Sequence, residues 1–284
     1  MNSLWVLFIF IYSFLKGSRD AMKKAALKKS SSDEILFFYS LLGFILILPF
    51  SGNAFSTPGI YIFYSFLKAL IVASSWMLAF VALRSMTVSL YGIMDMSRMV
   101  FSTLLGVFVL GEEMTLAKAL GVIIVTTGLL LANSKSDSPK GRVSITVLLA
   151  ALLNCILNSI SGTMDKVLMK SMTSDQLQFW FMLFLLVLYG LILIVRKEKV
   201  SISTLKGNYW IPLMSLSLVF GDRLLFIANA SPESQVTVMT VIKQSSVFVT
   251  VLTGWLFFKE KNILFKTLCA IIILSGIMIS VIWG

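Results

Sequence analysis

The chain has 284 residues, 58% of them hydrophobic and 13% charged, where an ordinary soluble domain has about 45–50% and 25%. That composition excludes a soluble globule, and gaps of under 20 residues between apolar runs leave no room for a separate water-soluble domain. The net charge is +11 and histidine is absent, which excludes a Ser/His protease, an H-E-x-x-H metal site and a haem axial histidine.

Ten membrane-spanning helices are predicted: about 3–22, 35–52, 59–83, 88–110, 115–133, 143–164, 176–195, 209–228, 236–258 and 263–282. Met1-Asn2-Ser3 runs straight into apolar residues with no basic n-region or cleavage motif, so the first is read as a retained helix. Lys16, Arg19 and Asp20 interrupt it early. Breaks between spans carry turn or charge chemistry, as in Ser51-Gly52-Asn53, Thr57-Pro58-Gly59, Arg196 to Asn208 and Ser231-Pro232-Glu233. Trp5, Trp180, Trp210 and Trp283 fall near span ends, where indole prefers the interface. Trp76 falls mid-span, to pack in the bundle or line a cavity. Cys155 and Cys269 lie in apolar runs without C-x-x-C spacing and read as small buried residues.

An offset of 148 residues lays the segment 104–112 on 252–260, with Gly106 on Gly254 and Glu112 on Glu260. It also pairs Lys118 with Lys266 and Gly128 with Gly276, and a slightly smaller offset pairs Gly17 and Asp20 with Gly162 and Asp165. Two homologous halves follow: residues 1–133 and 143–284, joined by a loop over 134–142. Five spans per half is an odd number, so the second copy enters the membrane from the opposite side. The fold class is therefore an all-α polytopic membrane protein of ten transmembrane helices in two inverted five-helix repeats, with binding expected at the midplane between them.

The Leu-Gly-Glu-Glu segment at 110–113 and the Phe-Lys-Glu-Lys segment at 258–261 each close an apolar helix, and each precedes a glycine-punctuated one. This pair resembles the EamA-type drug/metabolite transporter superfamily over nearly the whole chain. The resemblance implies a central cavity lined mainly by the first four helices of each half and a peripheral fifth helix. Two departures stand out: the first helix lacks the Trp-Gly pair common in the family, and Asp95 stands where the family often has an apolar or Pro-containing stretch.

Fourteen Lys and Arg residues lie in the loops closing odd-numbered spans, against three near helix ends on the other side. Positive residues stay in the cytoplasm, so the arithmetic places both termini outside, whereas the resemblance implies both inside. The basic excess is explained by lipid head groups, not by nucleic acid.

An ionisable residue at mid-span costs roughly 2.5–3.5 kcal/mol, so each needs a partner or a function. Six lie there: Lys68, Asp95, Arg98, Asp222, Arg223 and Lys243. The repeat places Asp95 and Lys243 at equivalent depth, where they could face each other across a cavity, while Asp95 and Arg98 are i, i+3 neighbours able to pair on one helix. Counting only these six, two cations are left over, which suits a carboxylate or phosphate on a ligand. A closed ion pair joining the halves and a substrate or proton site are both compatible with the pattern, and Asp95 or Asp222 could carry a proton.

Gln244, Ser245 and Ser246 add polar groups beside Lys243. Tyr12, Lys16 and Asp20 recur at helical spacing in span one, as do Asn154, Asn158, Ser161 and Asp165 in span six; each face lines a wet path or bonds a neighbouring helix. Ala117, Gly121, Gly128 and Gly276 read as close-packing positions, and Glu112 and Glu260 as anchors at helix ends near water.

The expectation is a secondary active transporter, not an enzyme, working without cofactor or metal, in the plasma (inner) membrane. Its substrate is a small polar metabolite, amphoteric or anionic, such as an amino acid or an organic or phosphorylated acid, with a coupling proton or exchange solute. The rivals are an exporter of drug-like or cationic compounds, a non-transporting scaffold of the same fold, and a membrane transferase. The lipid bilayer is the other partner; a monomer suffices, and a dimer is compatible.

Overall fold

The structure, a computed structural model, describes residues 4–110, 113–134, 143–198, 200–230, 239 and 242–283. The first half holds α1 (Leu4–Ala26), α2 (Ser32–Ile47), α3 (Gly59–Ser85), α4 (Val88–Asp95), α5 (Arg98–Leu110) and α6 (Leu116–Ser134). The second holds α7 (Ile145–Leu168), α8 (Ser174–Arg196), a short α9 (Ile202–Gly207), α10 (Trp210–Ala230), α11 (Ser246–Phe258) and α12 (Ile263–Ile282).

Local chemistry sets several ends. Ser31 and Glu34 form a capping box at the start of α2, and Thr173 and Gln176 form another at the start of α8, satisfying amides that have no intrahelical acceptor. The helices α8 and α11 stop at Lys197 and Lys259, which take the left-handed conformation (φ 54° and 51°) usually given to glycine. Among the described residues, six helices are long and apolar enough to cross a membrane, by length and composition alone. Span one carries Lys16, Arg19 and Asp20, and span eight carries Asp222 and Arg223, which lowers their apolar character.

Among the described residues every predicted span finds its helix, but the fourth is divided. The chain turns at Met96-Ser97, where the Met96, Ser97 and Met99 amides bond three residues back to Ile93, Met94 and Met96 at 3.0–3.1 Å. The same tightening recurs one repeat later, with Ser245 N to Ile242 O at 3.1 Å and Phe248 N to Ser245 O at 3.0 Å. The early part of span nine lies outside the described residues. Neither break has a proline or glycine at its apex, so the sequence carried no punctuation to announce it.

Packing follows the repeat. Helix α2 packs on its counterpart α8 and α6 on its counterpart α12, while α4 packs on α11, the counterpart of α5. The contact of α1 with α10 is matched by α3 with α7, and that of α1 with α11 by α5 with α7. The halves are interlocked, as a two-fold pseudo-axis requires.

One apolar core gathers Phe38, Tyr39, Val72, Phe179, Met182, Leu185 and Met214, and a second gathers Leu83, Leu90, Met94, Val125, Val251 and Ile273. Cys155 and Cys269 are free and buried in the bundle.

The fifth helices of the two halves meet through small residues, as expected of Gly121, Gly128 and Gly276. A Cβ on Gly121 would lie 2.5 Å from Ser280 Cβ and 2.6 Å from the Gly276 carbonyl oxygen. Between lipid-bathed helices such close backbone approach is a main source of adhesion. Gly121→Val is expected to cost about 1–3 kcal/mol through overpacking, read as a lowered unfolding midpoint in detergent; Gly59→Val, where a Cβ meets nothing within 4 Å, is the control.

Candidate functional site

The two-residue break leaves Asp95 as the last residue of α4 and Arg98 as the first of α5. Arg98 Nη2 lies 2.7 Å from Asp95 Oδ1, a charge contact whose angle falls outside hydrogen-bonding geometry, and Lys16 Nζ of α1 lies 3.4 Å from Asp95 Oδ2. One carboxylate thus faces two cations, and the triad carries a net charge of +1. The Asp95 side chain is 8% exposed, Lys16 17% and Arg98 27%. The buried Arg98 Nε–H has no acceptor among the described residues.

A second set of charges joins α1 to the other half. Arg19 Nη1 stands 4.0 Å from Asp222 Oδ1 of α10 and also faces the Tyr39 hydroxyl of α2. Tyr12, half-buried one helical face along, faces the same Asp222 and Arg19. Asp20 is buried and pairs with Lys23 at 3.1 Å.

Two further pairs lie toward the face where α7 ends. Lys68 Nζ is 2.9 Å from Asp165 Oδ1, 2.7 Å from the Ser161 hydroxyl and over the Phe181 ring. Arg223 pairs with Asp175 at 3.2 Å and stacks over the Phe50 ring. Asp165 and Asp222 keep side-chain exposures of 38% and 29%, and a Cβ on Gly162 would meet nothing within 4 Å.

The opposite face is held more tightly. Glu260, in the α11–α12 loop, accepts the Val88 and Ser89 amides at 2.6 and 3.1 Å and pairs with Lys266 at 3.3 Å, with side-chain exposures of 5% and 1%. The Lys24 ammonium caps the end of α3 through the Leu83 and Met86 carbonyls. Asp33 and Arg196 close the neighbouring corner at 2.5 Å.

A profile of the EamA-like transporter family matches residues 3–134 and 145–282. The chain belongs to that family. A crystal structure of another protein superposes with TM-score 0.66 over 100% of this chain and 98% of its own, at 14% identity, a likeness of fold alone. The comparison with curated proteins returns no match. The two matched segments coincide with the two interlocked halves, and EamA proteins are transporters and not enzymes.

Within this EamA fold, several sequence expectations change. Asp95 finds two cations in its own half, Lys16 and Arg98, because α1 packs against α4 at the depth of the break. Lys243 and Gln244 are half-buried just before the second break. The surplus of two cations among the six charges also changes, since Lys68 and Arg223 are matched by Asp165 and Asp175.

The Asn154 stripe acts largely as interhelical glue: Asn154 accepts from Ser75 at 2.7 Å and donates to the Tyr91 hydroxyl at 3.4 Å, and Asn158 donates to Asn154 Oδ1 at 2.8 Å and to Ser75. The face of Tyr12, Lys16 and Asp20 is divided rather than uniformly wet, with Asp20 buried. Trp76 packs in the bundle, its ring 5.0 Å from that of Tyr39. Glu260 is an anchor, as expected, but a buried one and not near water; Glu112 lies outside the described residues.

Sequence reading overlooked Tyr39, Ser75 and Asp175, and noted Arg19 only as an interruption of span one and not as a site residue. Arg19 carried a usable signal, a cation inside an apolar run beside Lys16 and Asp20; the other three carried none.

Proposed function

We propose that this chain is a secondary transporter of a small anionic or amphoteric metabolite, moved by alternating exposure of a site at the level of the two helix breaks. The observation that carries the reading is the Lys16–Asp95–Arg98 triad, a net positive charge inside the membrane with one guanidinium N–H unspent. A substrate carboxylate or phosphate supplies the missing negative charge and acceptor, and a substrate ammonium can share Asp95.

Broken helices suit such a site, because the turn frees backbone groups at the depth where substrate sits. Reciprocal packing of the halves supplies two related arrangements between which the molecule rocks. The plasma membrane is the proposed location, and the basic odd-numbered loops favour termini outside.

Detergent-purified protein is to be heated in the presence of amino acids, organic acids and phosphorylated acids. Binding to the folded state stabilises by RT ln(1 + [L]/Kd), about 2.7 kcal/mol at 100-fold Kd. A stabilising acid is expected for the wild type, with the effect lost in Arg98→Gln and in Lys243→Gln while both variants stay folded. Stabilisation by cationic or drug-like compounds only, or by acids equally in all three proteins, would retire the assignment.

A further inference from the structure

Asp222 differs from every other mid-span acid described. Asp95 has two cations within 3.4 Å, and Asp165 has Lys68 at 2.9 Å. Asp222 has one ion-pair partner, Arg19, at 4.0 Å, the limit of an ion pair, and no hydrogen bond among the described residues. Its side chain nonetheless keeps 29% exposure, on the looser side where Asp165 and Arg223 are also part-exposed.

The groups facing it from the surrounding helices are Tyr12 and Arg19 on α1, Tyr39 on α2, Lys68 on α3 and Asp165 on α7. Of these only Arg19 answers the Asp222 charge, and only in part. Arg19 is shared with the Tyr39 hydroxyl, Lys68 is held by Asp165 and Ser161, and Asp165 is itself an anion. Arg223, next on the same helix, is turned to Asp175 and Phe50. A carboxylate inside a membrane protein with a single distant cation is costly when charged, and a proton removes that cost.

We propose that Asp222 is the proton-binding group of this chain and that its proton decides whether α1 holds to α10. This rests on the transporter reading for its purpose, though not for its chemistry. Helix α1 carries two ties of opposite allegiance: Lys16 binds Asp95 within its own half, and Arg19 binds Asp222 on the other half. The α1–α10 contact is among the most extensive between the halves. Protonation at low pH cancels the second tie and leaves the first, so α1 stays with α4 while its hold on α10 weakens. Deprotonation at high pH restores the tie. A proton arriving from the looser face thereby biases the rocking of the halves, and the coupling ion needs no metal.

The test is an infrared difference titration of the full-length protein in lipid, with no solute added. A protonated-carboxyl stretch is expected to grow on acidification in the wild type and in Asp165→Asn, and to vanish in Asp222→Asn. Amide protection along α1 and α10, corrected for the intrinsic pH dependence of exchange, is expected to be several-fold lower in Asp222→Asn at neutral pH, matching the wild type at low pH. A band of undiminished size in Asp222→Asn, a band lost in Asp165→Asn instead, or protection indifferent to both pH and substitution would overturn the proposal.

Where Asp222→Asn fails to fold, Asp222→Glu serves: the band is expected to persist with altered frequency and midpoint, and a band unchanged in both respects overturns the assignment. Solute flux separates the two readings. A band that maps to Asp222 in a protein that moves none of the acids under a proton gradient retires the transporter reading and leaves the proton site standing. Gradient-driven flux intact in Asp222→Asn retires the proton coupling and leaves the transporter.

Discussion

Glu260→Gln is expected to be strongly destabilising, lowering stability by about 3–5 kcal/mol. The reason lies in what the glutamate leaves behind. Lys266 is 1% exposed and its ionic partner among the described residues is Glu260, so removing the negative charge strands a buried ammonium. The amide of Gln can still accept one of the Val88 and Ser89 N–H groups, and the loss of the other adds a capping deficit of about 1 kcal/mol.

Adding Lys266→Met is expected to recover most of the loss, because a buried pair exchanged for apolar groups costs far less than a broken one. Thermal unfolding of the purified single and double variants measures both. A single variant within about 0.5 kcal/mol of wild type, or a double variant worse than the single, would show that the pair does not hold the α11–α12 loop to α4.

The second large effect is expected at Asp95. Asp95→Leu leaves Lys16 and Arg98 facing one another inside the membrane, at a similar cost of about 3–5 kcal/mol for an uncompensated buried charge. Asp95→Asn is milder and more informative. It raises the triad from +1 to +2 while keeping the side-chain shape.

A purely anionic ligand is then expected to bind as well or better, whereas an amphoteric ligand, whose ammonium needs the carboxylate, is expected to lose affinity by tenfold or more, about 1.4 kcal/mol. Ligand-dependent unfolding shifts of wild type and variant separate the two classes. Equal weakening of both would move the binding site away from the break.

Much of this was legible in the residues themselves. The ten spans follow from runs of about 20 apolar residues, which only a bilayer can accommodate. The two-fold repeat follows from coincident Gly and Glu positions, and its inversion from the odd number of spans in each half. The contact through Gly121, Gly128 and Gly276 was readable for a related reason, since small residues at helical spacing in an apolar helix have little other use.

The partners of the buried charges were not legible, except where they share a helix. Asp95 and Arg98 are three residues apart, and local geometry brings them together. Lys16 with Asp95, Arg19 with Asp222, Lys68 with Asp165 and Arg223 with Asp175 are each brought together by helices distant in sequence. Which face each helix turns to which neighbour depends on how the halves interlock, and repeat symmetry placed Lys243 opposite Asp95 only in depth. The breaks at Ser97 and Ser245 were hidden because ordinary helix-compatible residues occupy both.

Sequence alone therefore determined the membrane class, the span count, the repeat and the list of charges needing a reason, because the cost of polar groups in lipid acts on each residue separately. The tertiary structure decided which charge answers which, and left Asp222 with the weakest answer, because ion pairing falls off over a few ångströms and only the packed bundle sets distances on that scale.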